Sequence, residues 1–292
     1  MSIGNVSYDL TEGRGIFIGH VTGGAAHVLV SLVWVLKYHF RTVSRQDDQS
    51  EWNRRPLVVN KIFRLIPWEG CIIIFSGSVG VIGGIFSPFF RFRMVGDDDT
   101  FLLDSLRGWQ HIVYFSSIAL YGVVILLADT CFSKLTYYIK PLGSATFALH
   151  GTVFALHRSM QNPVDSRIHI IFVVCSYGIA ATFALETAFQ KQSLYFIMRV
   201  FFMVLQGTWM SLSASILDPP NSQQWDGFDK LNIMFVSTIF LILVFIDFCS
   251  VVFVFCCISY YIRHKVKRQN DYTLLENGIE MGVTKQQDKI VD

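Results

Sequence analysis

Long apolar runs divide this sequence, and they limit its fold more than any other feature. About twenty residues with few charges suffice to cross the ~30 Å hydrocarbon core as a helix. Inside that core every backbone N–H and C=O must be bonded within the protein, which leaves helices or closed barrels as the spanning solutions. Runs this long and this continuously apolar read as helices. The chain has seven, at about 16–36, 62–86, 109–129, 135–157, 168–189, 194–217 and 232–262. The expectation is an all-α membrane protein, a seven-transmembrane-helix bundle over 16–262. Residues 1–15 form a short N-terminus, and 263–292 a polar tail expected to be disordered.

Composition agrees. Of the 292 residues, 52% are hydrophobic and 26 are Phe, more than one soluble core of this length needs. A net charge of +2 gives no basis for nucleic-acid binding. Cys71, Cys131, Cys175, Cys249, Cys256 and Cys257 lie in or beside apolar runs, so no disulfide framework is expected. No short apolar segment ends in a small-residue cleavage site, so no removable signal peptide is read.

Lys and Arg set the expected orientation. The most basic segments are the first loop (Lys37, Arg41, Arg45, Arg54, Arg55, Lys61) and the tail (Arg263, Lys265, Lys267, Arg268). Seven spans put both on one side, cytoplasmic by the positive-inside rule. The N-terminus is then exoplasmic or luminal, the side of the sequon Asn5-Val6-Ser7.

With that orientation the polar residues fall into two layers. Near the non-cytoplasmic face are His20 in the first run, His111 at the start of the third, His157 at the end of the fourth and His169 at the start of the fifth. His150 lies roughly 10 Å deeper than His157, at about 1.5 Å per residue. Asp165 sits in the link between the fourth and fifth runs, and Gln110 and Gln206 are further hydrogen-bonding candidates. Imidazole with carboxylate suits Zn²⁺ or another divalent transition metal better than Ca²⁺ or Mg²⁺. The plainer alternative is that each histidine bonds a carbonyl or a headgroup. His27 lies on the face of His20, two turns deeper, and reads as a helix-packing group. The second layer, near the cytoplasmic face, holds Glu69, Asp129, Glu186 and Arg199. A Glu186–Arg199 ion pair is its simple reading, and a proton or ion relay the sharper one.

The tail carries Asp271, Tyr272, Leu274 and Leu275, which fit tyrosine-based and dileucine sorting signals read by trafficking adaptors from an extended peptide. No nucleophile elbow, P-loop or dinucleotide turn is present.

Several clusters resemble the transmembrane protein 45 family. The most specific is Leu205-Gln206-Gly207-Thr208-Trp209, followed by Asp218-Pro219-Pro220, Trp225-Asp226 and Asn232-Ile233. Gly19-His20, Trp68-Glu69-Gly70, Gly108-Trp109-Gln110-His111 and Leu185-Glu186 are similar too, as is the spacing from His157 through Asp165 to His169. The chain departs from the family pattern at Gln110, where histidine is frequent, and at His150, where glutamate is usual. It departs also at Ser159 and Leu243, positions that are histidine in some members. The resemblance implies a seven-helix protein of endomembranes (Golgi, endosome or lysosome) or the plasma membrane, with membrane lipids as neighbours and a bound transition metal as a plausible feature. Three functions are expected to compete. They are a metal-binding protein with lipid-directed hydrolase activity, a metal or proton transporter, and a receptor-like or trafficking scaffold with structural histidines. A transporter requires polar lining between the two layers.

Overall fold

The computed structural model describes residues 10–46, 67–86, 90, 92–157, 162–189, 192–217 and 225–288; for 10–16, 18, 40–46, 104, 157 and 266–288 it describes the backbone alone. Among these residues the protein is helical, without a strand. The helices are α1 (Leu10–Gln46), α2 (Trp68–Ile85), α3 (Leu103–Thr130), α4 (Thr136–His157), α5 (Pro163–Ala188), α6 (Ser193–Leu217) and α7 (Lys230–Asp288). A 3₁₀ turn, Ser133–Leu135, joins α3 to α4. Six of the seven are long and apolar enough to cross a membrane. The other is α4, which carries Lys140, Pro141, His150 and His157.

Helix ends differ from the sequence expectation for local reasons. α2 begins at Trp68 because Pro67 occupies its N-cap position; a proline disfavours the helical conformation of the residue before it. α5 begins five residues earlier than expected. Asn162 caps it, accepting from the Asp165 N–H at 2.9 Å, with Pro163 in the first turn. α7 runs on to Asp288, through the segment expected to be irregular. That segment contains no proline and many straight-chain residues, which lose little freedom in a helix. The sorting-signal residues Asp271, Tyr272, Leu274 and Leu275 therefore lie on helical rather than extended backbone. The sequon at Asn5 and the loop basics Arg54, Arg55 and Lys61 lie outside the described residues.

The chain divides into two compact units. The first holds α1 up to Trp34, α2 to α6, and α7 up to Val251. Its core is built by α5 and α6: Ile168, Cys175, Ile179, Phe183, Trp209 and Ala214 are almost wholly enclosed. Phe75, Ile82, Leu120, Leu241 and Phe245 face outward with most of their surface uncovered. Exposed apolar surface on this scale marks contact with another apolar phase, here lipid.

Lipid offers no hydrophobic drive between helices, so close van der Waals approach must hold them together. Glycine supplies it at two crossings. A Cβ on Gly24 of α1 would lie 2.4 Å from the Gly207 carbonyl oxygen of α6. A Cβ on Gly77 of α2 would lie 2.6 Å from the Ala119 nitrogen of α3, and one on Gly122 would lie 2.8 Å from the Ile74 nitrogen.

The second unit holds Val35–Gln46 of α1 and α7 beyond Val251. His39 ties its two helices. Nδ1–H donates to the Val35 carbonyl at 2.8 Å, and Nε2 accepts from the Ser259 hydroxyl at 2.6 Å. Both ring nitrogens are used, as a structural histidine requires.

Candidate functional site

The candidate site is the polar interior of the first unit, which has three levels. At one end stand the starts of α3 and α5. The His111 ring lies within electrostatic range of His20 and of His169. His169 Nδ1–H donates to the Asp165 carbonyl at 2.9 Å and lies 3.1 Å from the Asp165 carboxylate. His111 Nδ1–H likewise donates to the Arg107 carbonyl at 3.0 Å. A carbonyl only accepts, so these bonds to the residue four earlier place a proton on each Nδ1.

Three of the expected histidines thus come from three different helices to one neighbourhood. Among the described residues, however, no three of His, Cys, Asp and Glu are arranged to hold a metal ion. The His157 side chain lies outside the described ones. Gln110 is half-buried on α3. The acidic run Asp97-Asp98-Asp99 belongs to a turn. Asp97 pairs with Arg93, Asp98 accepts from the Thr100 hydroxyl at 2.7 Å, and Asp99 has a positive φ of 59°.

At the other end is a saturated cluster. The buried Glu186 of α5 pairs with the Arg199 guanidinium of α6, and Lys140 of α4 reaches the same carboxylate at 3.3 Å. The Arg199 guanidinium lies 4.0 Å from the Trp34 ring centroid and 4.4 Å from that of Phe183. Trp34 in turn donates its indole N–H to Glu69 at 2.7 Å. Every charge here has a charged or aromatic partner. Asp129 does not share this enclosure; it is exposed near the end of α3, because its helix stops one residue later.

Between the two ends lies a level that the sequence reading did not separate. His150 does not join the outer histidines. It is fully buried, and it lies within electrostatic range of His27. The Ser117 hydroxyl donates to the Tyr114 carbonyl at 2.7 Å, so His150 Nε2–H must donate to the Ser117 oxygen at 2.9 Å. Its Nδ1 then carries a lone pair and has no partner. His27 has the opposite tautomer. Nδ1–H bonds the Gly23 carbonyl at 2.8 Å, and Nε2 has no partner. The Tyr121 hydroxyl is also buried and unpartnered, and it lies within electrostatic range of Glu69 and Glu186. Gln206 is fully buried with neither amide atom bonded. Each such group left dry costs about 1–3 kcal/mol.

Two motifs singled out in the sequence are explained by packing. In Gln206-Gly207-Thr208-Trp209, Gly207 allows the α1 crossing and Trp209 is fully buried with its N–H 3.3 Å from the Ile168 carbonyl. Trp225-Asp226 shapes the entry to α7. Asp226 accepts from the Phe228 N–H at 2.9 Å and, through its carbonyl, from Asn232 at 3.0 Å. Asp247 went unnoticed in the sequence. It is a buried carboxyl between Ile246 and Phe248 of α7, held by the Thr208 hydroxyl. Its signal was simply an acid inside an apolar run, which by default is a functional candidate.

Residues 137–257, which run from α4 into α7, match the profile of a family described as a family of unknown function (DUF716).

Proposed function

We propose that this multi-pass membrane protein passes protons through its helix bundle, between the histidine end and the Glu69–Glu186 end. One observation carries the reading: between the two ends stand His27, His150, Tyr121 and Gln206, each buried with at least one polar atom that has no partner. A polar lining at this depth is what a transporter needs and what a scaffold with satisfied histidines lacks. Intramembrane His, Tyr and carboxylate groups are the usual parts of proton relays. These groups are spaced along the interior rather than in contact. His20 and His27 lie two turns apart on α1, His27 is within electrostatic range of His150, and Tyr121 is within that range of Glu69.

The wider reading is a seven-span protein of the transmembrane protein 45 family, with an exoplasmic or luminal N-terminus and a cytoplasmic C-terminus, in endomembranes or the plasma membrane. The match of residues 137–257 supports the family reading, and the basic residues of the first loop and the tail support the orientation. Adaptor binding through the tail would require α7 to open around Tyr272.

A divalent transition metal at the outer histidines is the second reading. The range of His111 to both His20 and His169, each from a different helix, favours it. A hydrolase would need a carboxylate base beside that metal, and Asp165, whose Oδ1 lies 3.1 Å from His169 Nδ1, is the carboxylate at that end.

The test is proton flux. Purified protein in liposomes loaded with a pH-sensitive dye, under a clamped potassium diffusion potential, should acidify faster than protein-free liposomes. Elemental mass spectrometry of the same preparation reads the second reading directly. Flux equal to that of protein-free vesicles would refute the first.

A further inference from the structure

The apolar span Lys230–Lys265 of α7 carries one acid, Asp247, and it stands halfway along. Phe245, Ile246 and Phe248 beside it are exposed, whereas Asp247 is only 4% exposed. It faces α6. Ring contacts Trp209–Phe240 at 5.2 Å and Phe201–Phe248 at 6.0 Å close that interface above and below it. Two groups reach the carboxyl. They are the Thr208 hydroxyl of α6 at 2.5 Å and, within electrostatic range, the buried Cys175 of α5, which is uncharged as a thiol. No Lys, Arg or His among the described residues acts on it. A carboxylate so placed is neutralised rather than kept charged. The hydrogen bonds give the same answer by counting. Thr208 Oγ1 lies 3.0 Å from the Val204 carbonyl and 3.2 Å from the Leu205 carbonyl as well as against Asp247. A hydroxyl has one hydrogen, and a carbonyl or a carboxylate only accepts. With a carboxylate here, three acceptors compete for that hydrogen. With a carboxylic acid the acid O–H donates to Oγ1, and the Thr208 O–H is left for the Val204 carbonyl.

We propose that Asp247 is a proton-binding site at the α6–α7 interface, in which the neutral acid donates to Thr208 and ties α7 to α6 within the apolar span. The site goes beyond the proton pathway and does not rest on it, since neither Thr208 nor Cys175 belongs to that pathway. Its ligand is the proton. A metal ion fits less well, because among the described residues no three of His, Cys, Asp and Glu gather here. Loss of the proton would return three acceptors to one hydrogen and leave an unpaired charge inside the span.

The experiment is infrared spectroscopy of the full chain in lipid bilayers, with ¹³C at the aspartate carboxyl. Between roughly pH 6 and 8 an ordinary aspartate is ionised. The expected result is a label-sensitive carbonyl band of a protonated, hydrogen-bonded acid that persists over that range. Asp247→Asn should abolish the band, and Asp98→Asn, a change in the exposed turn, should leave it. Thr208→Val removes the acceptor of the acid hydrogen. It should shift the band to higher frequency without abolishing it, which keeps the test open where Asp247→Asn does not fold. Wild-type protein without such a band overturns the proposal, as does a band that survives Asp247→Asn or stays unshifted in Thr208→Val. Failure of the two ideas is separable. Proton flux without the band removes the Asp247 site alone. The band without flux removes the proton pathway and leaves the Asp247 site standing.

Discussion

The Glu186–Arg199 cluster and the His27–His150 level lie in the same helix bundle, yet they treat buried polarity in opposite ways. At the first, one carboxylate receives a guanidinium and an ammonium, and the guanidinium packs against two aromatic rings. At the second, two imidazoles and a phenol each keep one atom without a partner. α1 shows the same contrast within one helix. His39 uses both ring nitrogens, whereas His27 uses one. Saturated polar groups hold helices together. Unsaturated ones cost stability, and their presence calls for an occupant or a task.

The comparison can be broken most forcefully at the saturated end. Arg199→Met leaves the Glu186 carboxylate buried against Lys140 alone. It should cost about 3–5 kcal/mol, as removal of one partner of a buried pair does. Equilibrium unfolding in mixed micelles measures it, and a loss below about 1 kcal/mol would mean that Lys140 suffices.

The glycine crossings come next. Gly24→Ala drives a methyl into the Gly207 carbonyl and should cost about 1–3 kcal/mol. Gly83→Ala, with nothing within 4 Å, should be neutral or slightly stabilising in the same assay.

His27→Leu sharpens the contrast from the other side. It deletes an orphaned acceptor along with a local bond to Gly23, so stability should change by about 1 kcal/mol or less. Thermal unfolding beside Arg199→Met shows whether the two regions differ as described.

The smallest effect is outside the bundle. Hydrogen bonds from Thr100 hold the exposed Asp98 carboxyl below its ordinary value of 3.8. A carboxylate with a lowered folded value contributes fully above its unfolded value and loses that contribution as pH falls through the folded one. The turn at 96–100 should therefore loosen only below the ordinary carboxylate range, and Asp98→Asn should flatten that dependence in amide exchange across pH 2 to 5, roughly the acid limb.

Much of the fold is legible in the sequence, because apolar runs of spanning length leave few alternatives to helices. The limits of those helices were less legible. Pro67 and the Asn162–Asp165 cap moved boundaries through local chemistry, and α7 continued where polarity alone suggested irregular chain. Depth is readable from the rise per residue, which is how His20, His111 and His169 were grouped. Azimuth is not, since it depends on which faces the neighbours present. For that reason His150 was grouped with the outer histidines although it packs by His27, and Asp129 was grouped with Glu186 although it is exposed. Tyr121 and Ser117 carried no sequence signal at all. Ser117 gains its role from facing His150 on another helix, and Tyr121 from lying within range of Glu69 and Glu186.

The central claim is that the unsaturated level is the working part of the molecule, and the most direct measurement is proton flux through liposomes containing His27→Leu beside wild-type protein. The account predicts wild-type unfolding behaviour for this variant and flux reduced to that of protein-free vesicles. Undiminished flux from a folded His27→Leu protein would contradict it.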